Sequence, residues 1–303
     1  MIEAATRHAP LQKLQPRFNY RVMPAHDVDR AVAKQIFSIA STGRGTVLTP
    51  GCNTPLNMYK ELFIGGGVQL GRLLTGETGD FQMGMIDGVE AKLEHPYSFR
   101  FYFIQHFLRY FMFNPLHSIK DPQQRAEVIN WTYAKFKNVY VPHLTEGASS
   151  EVQSAETAEF RQWLERRGPV DLLVCGLGPD GHIAFLGPGE RRVDIEPTAK
   201  RVKLWDEIRQ WKWLNGESDE TCSCVKEVCE SKPLAPQSAL TVSLSTILSA
   251  RRIIVMALGR SKAEPILRLL QGELEPESFT AHHLTAVSDK VTILMDEGAA
   301  GLL

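Results

Sequence analysis

Three segments of this sequence are almost continuously apolar and are short: "VDLLVCGLG" (170–178), "RRIIVMALG" (251–259) and "VTILMD" (291–296). Strands without polar alternation are typical of a parallel sheet that is covered on both faces. Helical patterns separate such segments along the chain, for example "SKAEPILRLLQG" between the last two. The alternation predicts an α/β fold with a three-layer, doubly wound, largely parallel sheet of the Rossmann-like kind.

The 303 residues are enough for one large domain with a sizeable core. Residues 1–24 are predicted to form an irregular N-terminal arm, and residues 25–303 a single domain. The least regular segment within it is 187–236, which lies between well-defined elements. An inserted lid over an active site and an ordinary insertion explain that segment equally well.

Composition excludes several classes of partner. The net charge is −1 and the pI is about 6.8, which gives no reason to expect nucleic acid as a partner. No window approaches the roughly 20 apolar residues of a membrane span, and the first thirty residues lack the apolar core of a signal peptide. The odd count of five cysteines, with Cys175 inside an apolar run, favours a reduced, cytoplasmic protein.

The segment "LTPGCNTPLNMYK" predicts a strand, a turn at Gly51 and a new helix. Thr54 is a suitable N-cap and proline suits the first helical position. The amides of the loop residues Cys52, Asn53 and Thr54, with those of the helix start, form a site suited to an anion such as phosphate. A strand–turn–helix joint that binds nothing remains the simpler alternative.

Two further strand ends carry polar residues. In "MALGRSKAEP", Ser261 and Glu264 match a capping box, which places Lys262 in a first helical turn, where the dipole disfavours a cation unless an anion is bound there. In "GLGPDGHIAF", Asp180 and His182 follow the strand directly. Because ligands of open α/β sheets bind at the carboxyl ends of strands, an imidazole there is placed for proton transfer. A turn aspartate and a half-buried histidine are the alternative interpretation.

A metal site is a weaker hypothesis. Three cysteines, at positions 222, 224 and 229, are followed by His282 and His283, but their spacing differs from the common paired zinc arrangement. We expect no metal and no cofactor.

Together these segments resemble the superfamily of glucosamine-6-phosphate deaminases and 6-phosphogluconolactonases. "GLGPDGHIAF" resembles its signature, with "GHIAF" closer to the deaminase/isomerase branch and the following "GPG" closer to the lactonases. "GCNTPLNMYKEL" resembles the family's phosphate loop and helix, and "EHPYSF" a deaminase stretch with His-Pro, serine and aromatic residues. Two later segments, "SALTVSLSTILSARRIIVMALGRSKA" and "HLTAVSDKVTILMDEGAA", resemble the closing part of the family's chain. The resemblance covers most of the chain from about residue 25 onwards.

The resemblance implies a role for each matching position. Asp180 and His182 would handle the ring oxygen and C1 of a sugar. A phosphate would be held by the loop Gly51, Cys52, Asn53 and Thr54 and by Lys262, while Gly176 would admit the sugar close to the backbone. Asp87 would be the base that moves the C2 proton, and Arg201 or Arg209 would be the phosphate-binding arginine.

Two departures from the family pattern weaken the deaminase assignment. The segment "FQMGMIDGVEAKLEHP" lacks the deaminase Met-Asp-Glu-Tyr element, and Asp87 is the carboxylate nearest to that place. The deaminase signature also has a glutamate two residues after the phenylalanine of "GHIAF", where this chain has Gly187, with Glu190 three residues later.

Three functions therefore stay open. The favoured one is a sugar-phosphate isomerase/deaminase that acts on a phosphorylated amino sugar such as glucosamine 6-phosphate by ring opening and C1/C2 proton transfer. The alternatives are hydrolysis of a lactone of the 6-phosphogluconolactonase type and a catalytically silent sensor that binds sugar phosphates. In each case the partner is a small sugar phosphate, with a homo-oligomer left open.

Overall fold

We describe a computed structural model of the chain over residues 17–51, 54–95, 97–111, 119–191, 198–204 and 236–303. Its centre is a sheet of seven parallel strands in the order β1-β11-β10-β7-β2-β3-β5. These strands are β1 Asn19–Val22, β2 Arg44–Thr49, β3 Asp80–Met85, β5 Val139–Tyr140, β7 Leu172–Cys175, β10 Ile253–Ala257 and β11 Val291–Met295. The predicted α/β fold with a largely parallel sheet is confirmed.

Helices cover both faces of this sheet. On β7, Leu172 and Val174 belong to one hydrophobic core and Leu173 and Cys175 to the other, because side chains alternate along a strand. The first core is covered by α1 to α4 and the second by α5 to α7. The helices are α1 Ala25–Ala40, α2 Leu56–Leu74, α3 Phe99–His106, α4 Pro122–Lys135, α5 Ser150–Arg167, α6 Leu244–Ser249 and α7 Ala263–Gln271.

A second, four-stranded sheet has the order β6-β4-β9-β8. Its strands are β4 Asp87–Ala91, β6 Leu144–Thr145, β8 Ala199–Lys203 and β9 Ser238–Val242. Only Ile86 separates β3 from β4. Its N–H donates to the carbonyl of Thr49 in the main sheet, and its carbonyl accepts from the N–H of Val242 in the second, each at 2.9 Å. A single residue is therefore hydrogen-bonded to both sheets.

The chain reverses its direction of travel across the main sheet between β2 and β7. From β2 it proceeds through β3 to β5 on one side, and from β7 through β10 to β11 on the other. The crevice at the carboxyl ends of such a pair of strands is where open α/β sheets bind ligands.

Two predicted boundaries need correction. Residues 19–22, assigned from sequence to the irregular arm 1–24, form the edge strand β1 and pair with β11. Residues 199–203, assigned to the lid or insertion 187–236, form β8 and pair with β9. Both segments acquire regular structure because each adds a ladder of backbone hydrogen bonds to a sheet edge. No helix of the described part of the chain is long and apolar enough to cross a bilayer.

Candidate active site

The loops that follow β2 and β7 meet at the crevice between these strands. A β-carbon placed on Gly176, the first residue after β7, would lie 3.9 Å from Oγ1 of Thr54. The structure therefore brings together two of the predicted substrate-binding positions, which are more than 120 residues apart in sequence. Because Gly176 has no side chain, the space next to the hydroxyl group of Thr54 stays open.

Asp180 and His182 form a hydrogen-bonded pair in the loop after β7. Nδ1 of His182 lies 2.6 Å from Oδ1 of Asp180, and the backbone N–H of His182 donates to the same oxygen at 3.2 Å. The two side chains are 14% and 29% exposed, so the pair is neither sealed in the core nor fully solvated. The tautomer with a proton on Nδ1 matches this contact, because that proton is donated to the carboxylate.

Two glycines give this loop its shape. A β-carbon on Gly178 would lie 2.0 Å from Nδ1 of His182, so the imidazole occupies the space of the missing side chain. Gly181 has φ +84°, and a β-carbon there would lie 2.2 Å from the ring of Phe279. The N–H of Ala281 donates to the carbonyl of Gly181 at 2.9 Å, which attaches the loop to the segment before β11.

The next four residues make a tight turn. Ile183 and Leu186 exchange backbone hydrogen bonds, and Ala184 has φ +54° between them. Such a two-residue turn needs a positive φ at this position, which a non-glycine residue adopts only with strain. The turn places the ring of Phe185 with its centroid 6.1 Å from that of Phe99.

Phe99, the first residue of α3, links the two loops. A β-carbon on Gly51 would lie 2.3 Å from Cε2 of Phe99, so the turn after β2 packs on the same ring that contacts Phe185. Gly51 is needed here for this close approach.

Asp87 is the first residue of β4 and is 5% exposed. It is paired with Thr241 of β9, whose Oγ1 accepts the N–H of Phe185 at 3.3 Å. Because paired residues of adjacent strands present their side chains to the same face, Asp87 lies on the face of the second sheet that meets the His182 loop.

Lys262 is 7% exposed and lies in a single 3-10 turn, Arg260–Lys262, after β10. The turn begins at Gly259, which has φ +86° and whose N–H donates to both carboxylate oxygens of Asp296 at 3.0 Å. Since β10 adjoins β7, this places a buried cation at the same edge of the sheet as the other two loops. A buried ammonium group requires compensating negative or polar groups.

The two predicted helix caps are wrong. The helix after the first loop begins at Leu56 with Pro55 at the N-cap position, one residue later than predicted, and has no side-chain cap. The helix α7 begins at Ala263 with Lys262 at the N-cap position and likewise has no side-chain cap, because the 3-10 turn places Ser261 before the helix proper.

Arg201 is not brought to this loop cluster. It lies in β8 beside Lys200, which is paired with Thr241, so Arg201 points to the face of the second sheet opposite Asp87. Its guanidinium group donates to Oγ of Ser238 at 3.1 and 3.3 Å and lies 3.8 Å from the carboxylate of Glu90. The prediction that Arg201 binds phosphate in this cleft is therefore wrong, because the register of β8 against β9 turns its side chain to the other face. Three other positions named from the sequence lie outside the described residues: Cys52, Asn53 and Arg209.

Sequence reasoning missed Lys200 and Thr241 on the face of Asp87. The ammonium group of Lys200 forms an ion pair with the carboxylate of Glu190, the glutamate that follows "GHIAFLGPG". This contact joins β8 to the end of the His182 loop. Nothing in the local sequence indicates it, since it depends on the register of β8 against β9.

The metal hypothesis gains no support from its two histidines. Nδ1 of His282 accepts the N–H of Glu275 at 2.9 Å, and its Nε2 lies 3.1 Å from the carbonyl of Arg268. Nε2 of His283 lies 3.2 Å from the carbonyl of Glu190. Within the described residues, no group of three or more His, Cys, Asp or Glu side chains is arranged to hold a metal ion. The three cysteines of the hypothesis lie outside the described residues.

A family model described as glucosamine-6-phosphate isomerases/6-phosphogluconolactonase matches residues 122–293, more than half of the chain. The chain belongs to this family. The match runs from the start of α4 into β11 and includes the Asp180–His182 loop and Lys262. The resemblance found in the sequence motifs is thereby confirmed.

Several curated members of the glucosamine-6-phosphate isomerase/6-phosphogluconolactonase family are similar to this chain. A glucosamine-6-phosphate deaminase of Halothermothrix orenii is 26% identical over 257 residues, which cover 83% of this chain and 85% of the relative. A glucosamine-6-phosphate deaminase of Bacillus velezensis is 35% identical over 158 residues, which cover 52% of this chain and 58% of the relative.

Solved structures of the family share the fold. A monomeric glucosamine-6-phosphate deaminase superposes with a TM-score of 0.69 at 22% identity, covering 94% of this chain and all of the other. A 6-phosphogluconolactonase of Trypanosoma brucei superposes with a TM-score of 0.63 at 18% identity, covering 94% and 98%. The fold is thus common to both branches of the family and does not by itself select a reaction.

Proposed function

We propose that this protein is a glucosamine-6-phosphate deaminase/isomerase. The observation that carries the proposal is the placement of two acid–base centres around one cleft: the Asp180–His182 pair, 2.6 Å apart, and the buried carboxyl group of Asp87 on the facing side of the second sheet. The curated relatives named above support the same activity.

The phosphate end of the cleft is formed by the loops after β2 and β10. Thr54 and the amides at the start of α2 supply hydrogen-bond donors, and Lys262 supplies the positive charge. Gly176 keeps the space beside Thr54 open, and Gly51 lets the first loop pack against Phe99. With the phosphate held at this end, the sugar extends across Gly176 towards His182.

The reaction then has two stages, which are ring opening and a proton shift from C2 to C1. Nε2 of His182 takes the proton of the C1 hydroxyl group and delivers it to the ring oxygen as the bond between C1 and that oxygen breaks, while Asp180 holds the proton on Nδ1 and orients the imidazole. Once the ring is open, Asp87 removes the C2 proton and the proton is returned at C1. With an amine at C2, this shift gives an imine, and water adds to it with loss of ammonia, so the products are fructose 6-phosphate and ammonia.

The decisive experiment is to incubate the purified protein with glucosamine 6-phosphate and to measure ammonia and fructose 6-phosphate. We expect both products in equal amounts, and we expect D87N to lower kcat by about 10² or more. The exposed Asp289→Asn variant is the matched control and retains activity. Absence of both products with the wild-type protein rejects the proposal.

Lactone hydrolysis is the second candidate, favoured by the structural likeness to 6-phosphogluconolactonases. In that reaction His182 would deprotonate a water molecule for attack on C1, and no base is needed at C2. Turnover of 6-phosphogluconolactone that survives in D87N would select this reaction. Thermal stabilisation by sugar phosphates without turnover of either substrate would select the silent sensor.

A cytoplasmic location and self-association complete the proposal. Cys175 is a buried free thiol, which is compatible with a reducing compartment. The apolar side chains of Ile64 and Val68 on α2 are 64% and 81% exposed, and contact with a second copy would cover them. Cell fractionation and light scattering test these two points.

A further inference from the structure

Asp29 is a buried acid of α1 that the proposed reaction does not use. It is 1% exposed, although it lies only four residues from the start of the helix. Its carboxyl group accepts hydrogen bonds from the backbone N–H of Met58 and the side chain of Asn57. Both residues belong to the first turn of α2, which has no side-chain cap of its own. Asp29 therefore acts as a cap supplied by a neighbouring helix.

One carboxyl oxygen of Asp29 is not satisfied. Within the described residues, its Oδ1 is buried and has no hydrogen-bond partner. A buried carboxylate with an unsatisfied oxygen costs considerable free energy, whereas the protonated acid costs much less. The geometry alone thus favours a group that changes its charge easily.

The charged groups around Asp29 do not compensate for its charge. Glu61, one turn further along α2, adds a second negative charge and forms a pair with Arg30 at 3.4 Å. Arg30 also lies 3.5 Å from Asp27. The remaining charged residues of α1 and of the elements packed on it are His26 and Lys34 on α1, Lys60 and Arg72 on α2, and Arg44 at the amino end of β2, while β11 has none. Burial, followed by Glu61, raises the pKa of Asp29 to about 7.

The position of Asp29 relates it to the phosphate end of the cleft. Both α1 and α2 begin at the carboxyl edge of the main sheet, directly after β1 and β2. The amides that open α2 are those proposed to face the phosphate, and Asp29 already accepts the amide of Met58 in the same turn. Two anions would therefore share the positive end of one helix dipole.

We propose that Asp29 is a positioning residue that sets the affinity of the cleft for a phosphate monoester, and that phosphate binding is coupled to uptake of a proton by its carboxyl group. This inference rests on the proposed function. The protonated acid still accepts the amide of Met58 and keeps α2 in place, but it no longer repels the dianionic phosphate. The ionised form holds the same turn and opposes the ligand. Affinity for the phosphate therefore decreases as Asp29 ionises.

The test compares the wild-type protein with Asp29→Asn, which keeps an acceptor for the amide and cannot ionise. The dissociation constant for fructose 6-phosphate, which carries no amine, is measured by calorimetry between pH 6 and 8.5. The ligand's own ionisation, with a pKa near 6, affects both proteins equally and cancels in the ratio of the two constants. We expect the wild-type constant to rise relative to the variant's by about threefold or more across this range, and by about tenfold for each unit by which the phosphate raises the pKa of Asp29.

A matched control and a second measurement keep the inference testable. Asp27→Asn changes an acid on the same helix that is 41% exposed and lies beside Arg30. We expect the ratio of the wild-type dissociation constant to that of this variant to stay constant from pH 6 to 8.5. If Asp29→Asn does not fold, calorimetry of the wild-type protein at pH 8 in buffers of different ionisation enthalpy reports the proton directly. The ligand is then fully dianionic, so a net uptake of protons must occur on the protein.

The outcomes separate the two proposals. A wild-type protein that binds fructose 6-phosphate with a ratio flat from pH 6 to 8.5, or with no proton uptake at pH 8, overturns the role of Asp29 and leaves the proposed function intact. A protein that binds no sugar phosphate at any pH overturns both.

Discussion

Nδ1 of His182 and Oδ1 of Asp180 lie 2.6 Å apart, and the backbone N–H of His182 donates to the same oxygen. The carboxylate is thus fixed by two donors from one residue. This arrangement leaves the imidazole few orientations, which is what a group needs if it is to meet a substrate atom without prior reorganisation.

Replacing His182 removes the proposed proton donor. We expect His182→Gln to lower kcat for glucosamine 6-phosphate by about 10²–10⁴ with little change in KM, because the phosphate end of the cleft stays intact. Asp180→Asn should lower kcat less, since the imidazole remains but loses its carboxylate partner. Steady-state kinetics measure both effects, and the exposed His26→Gln serves as control. Wild-type kcat in His182→Gln would remove the residue from the mechanism.

A substitution at Gly178 displaces the imidazole of His182 without changing its chemistry. A methyl group there would lie 2.0 Å from Nδ1 of His182, so Gly178→Ala forces the ring to move and breaks its contact with Asp180. We expect kcat to fall about tenfold or more while the protein stays folded. Gly65→Ala, at a helical glycine with open space around it, should leave kcat unchanged. Equal kcat values for the two variants would contradict the observed packing.

Substitutions of Ala184 are expected to change the free energy of unfolding through the strained turn of the same loop. With φ +54°, alanine costs about 1–2 kcal/mol relative to a relaxed backbone. Ala184→Gly removes this strain but adds entropy to the unfolded chain, so we expect a gain of about 0.5 kcal/mol in the free energy of unfolding. Ala184→Val should lose about 2 kcal/mol, because β-branched residues tolerate this conformation worst. Urea unfolding measures both, and a stabilising valine would disprove the turn.

The buried His143 is expected to lower the free energy of unfolding of the native protein at acidic pH. Burial, followed by the charge of Arg100, lowers the pKa of His143 to about 3, whereas the unfolded chain binds the proton near pH 6.5. Below pH 6.5 the unfolded state therefore binds a proton that the native state does not, and native stability falls as the pH is lowered towards 3. Between pH 7 and pH 5 this amounts to about 2 kcal/mol.

The measurement for His143 is urea unfolding at pH 7 and pH 5 for the wild type and for His143→Gln. The variant does not titrate, so its loss of stability between the two pH values should be smaller by about 2 kcal/mol, whatever its absolute stability. The exposed His26→Gln, 67% exposed, should behave as the wild type. An unchanged difference in His143→Gln would show that His143 titrates normally.

Much of the main sheet could be predicted because its strands are buried on both faces. The apolar runs that end at Cys175, Ala257 and Met295 all form predicted strands, and the polar residues after two of them, His182 and Lys262, lie at the same edge of the sheet. The loops at these strand ends could be predicted because turn residues such as glycine and proline have local sequence signatures.

The second sheet was not predicted because its strands have two to five residues and partners far away in sequence. Asp87 pairs with Thr241 across more than 150 residues, and no local pattern gives that register. The same lack of register explains the wrong assignment of Arg201, since a shift of one residue decides which face a side chain takes. The burial of Asp29 was equally hidden, because α2 covers it from another part of the chain.

Ile86 is the single residue between the two sheets, and it is bonded to both. Because side chains alternate along β4, one residue inserted at this junction that shifts β4 by one position against β9 would turn the carboxyl group of Asp87 to the opposite face, where Gln153 of α5 contacts Glu90. In the proposed mechanism this carboxyl group abstracts the C2 proton, whereas lactone hydrolysis does not use it. Within one scaffold, the length of a one-residue connection would thus decide which of the two candidate reactions is possible, with no change to the identity of any proposed catalytic residue.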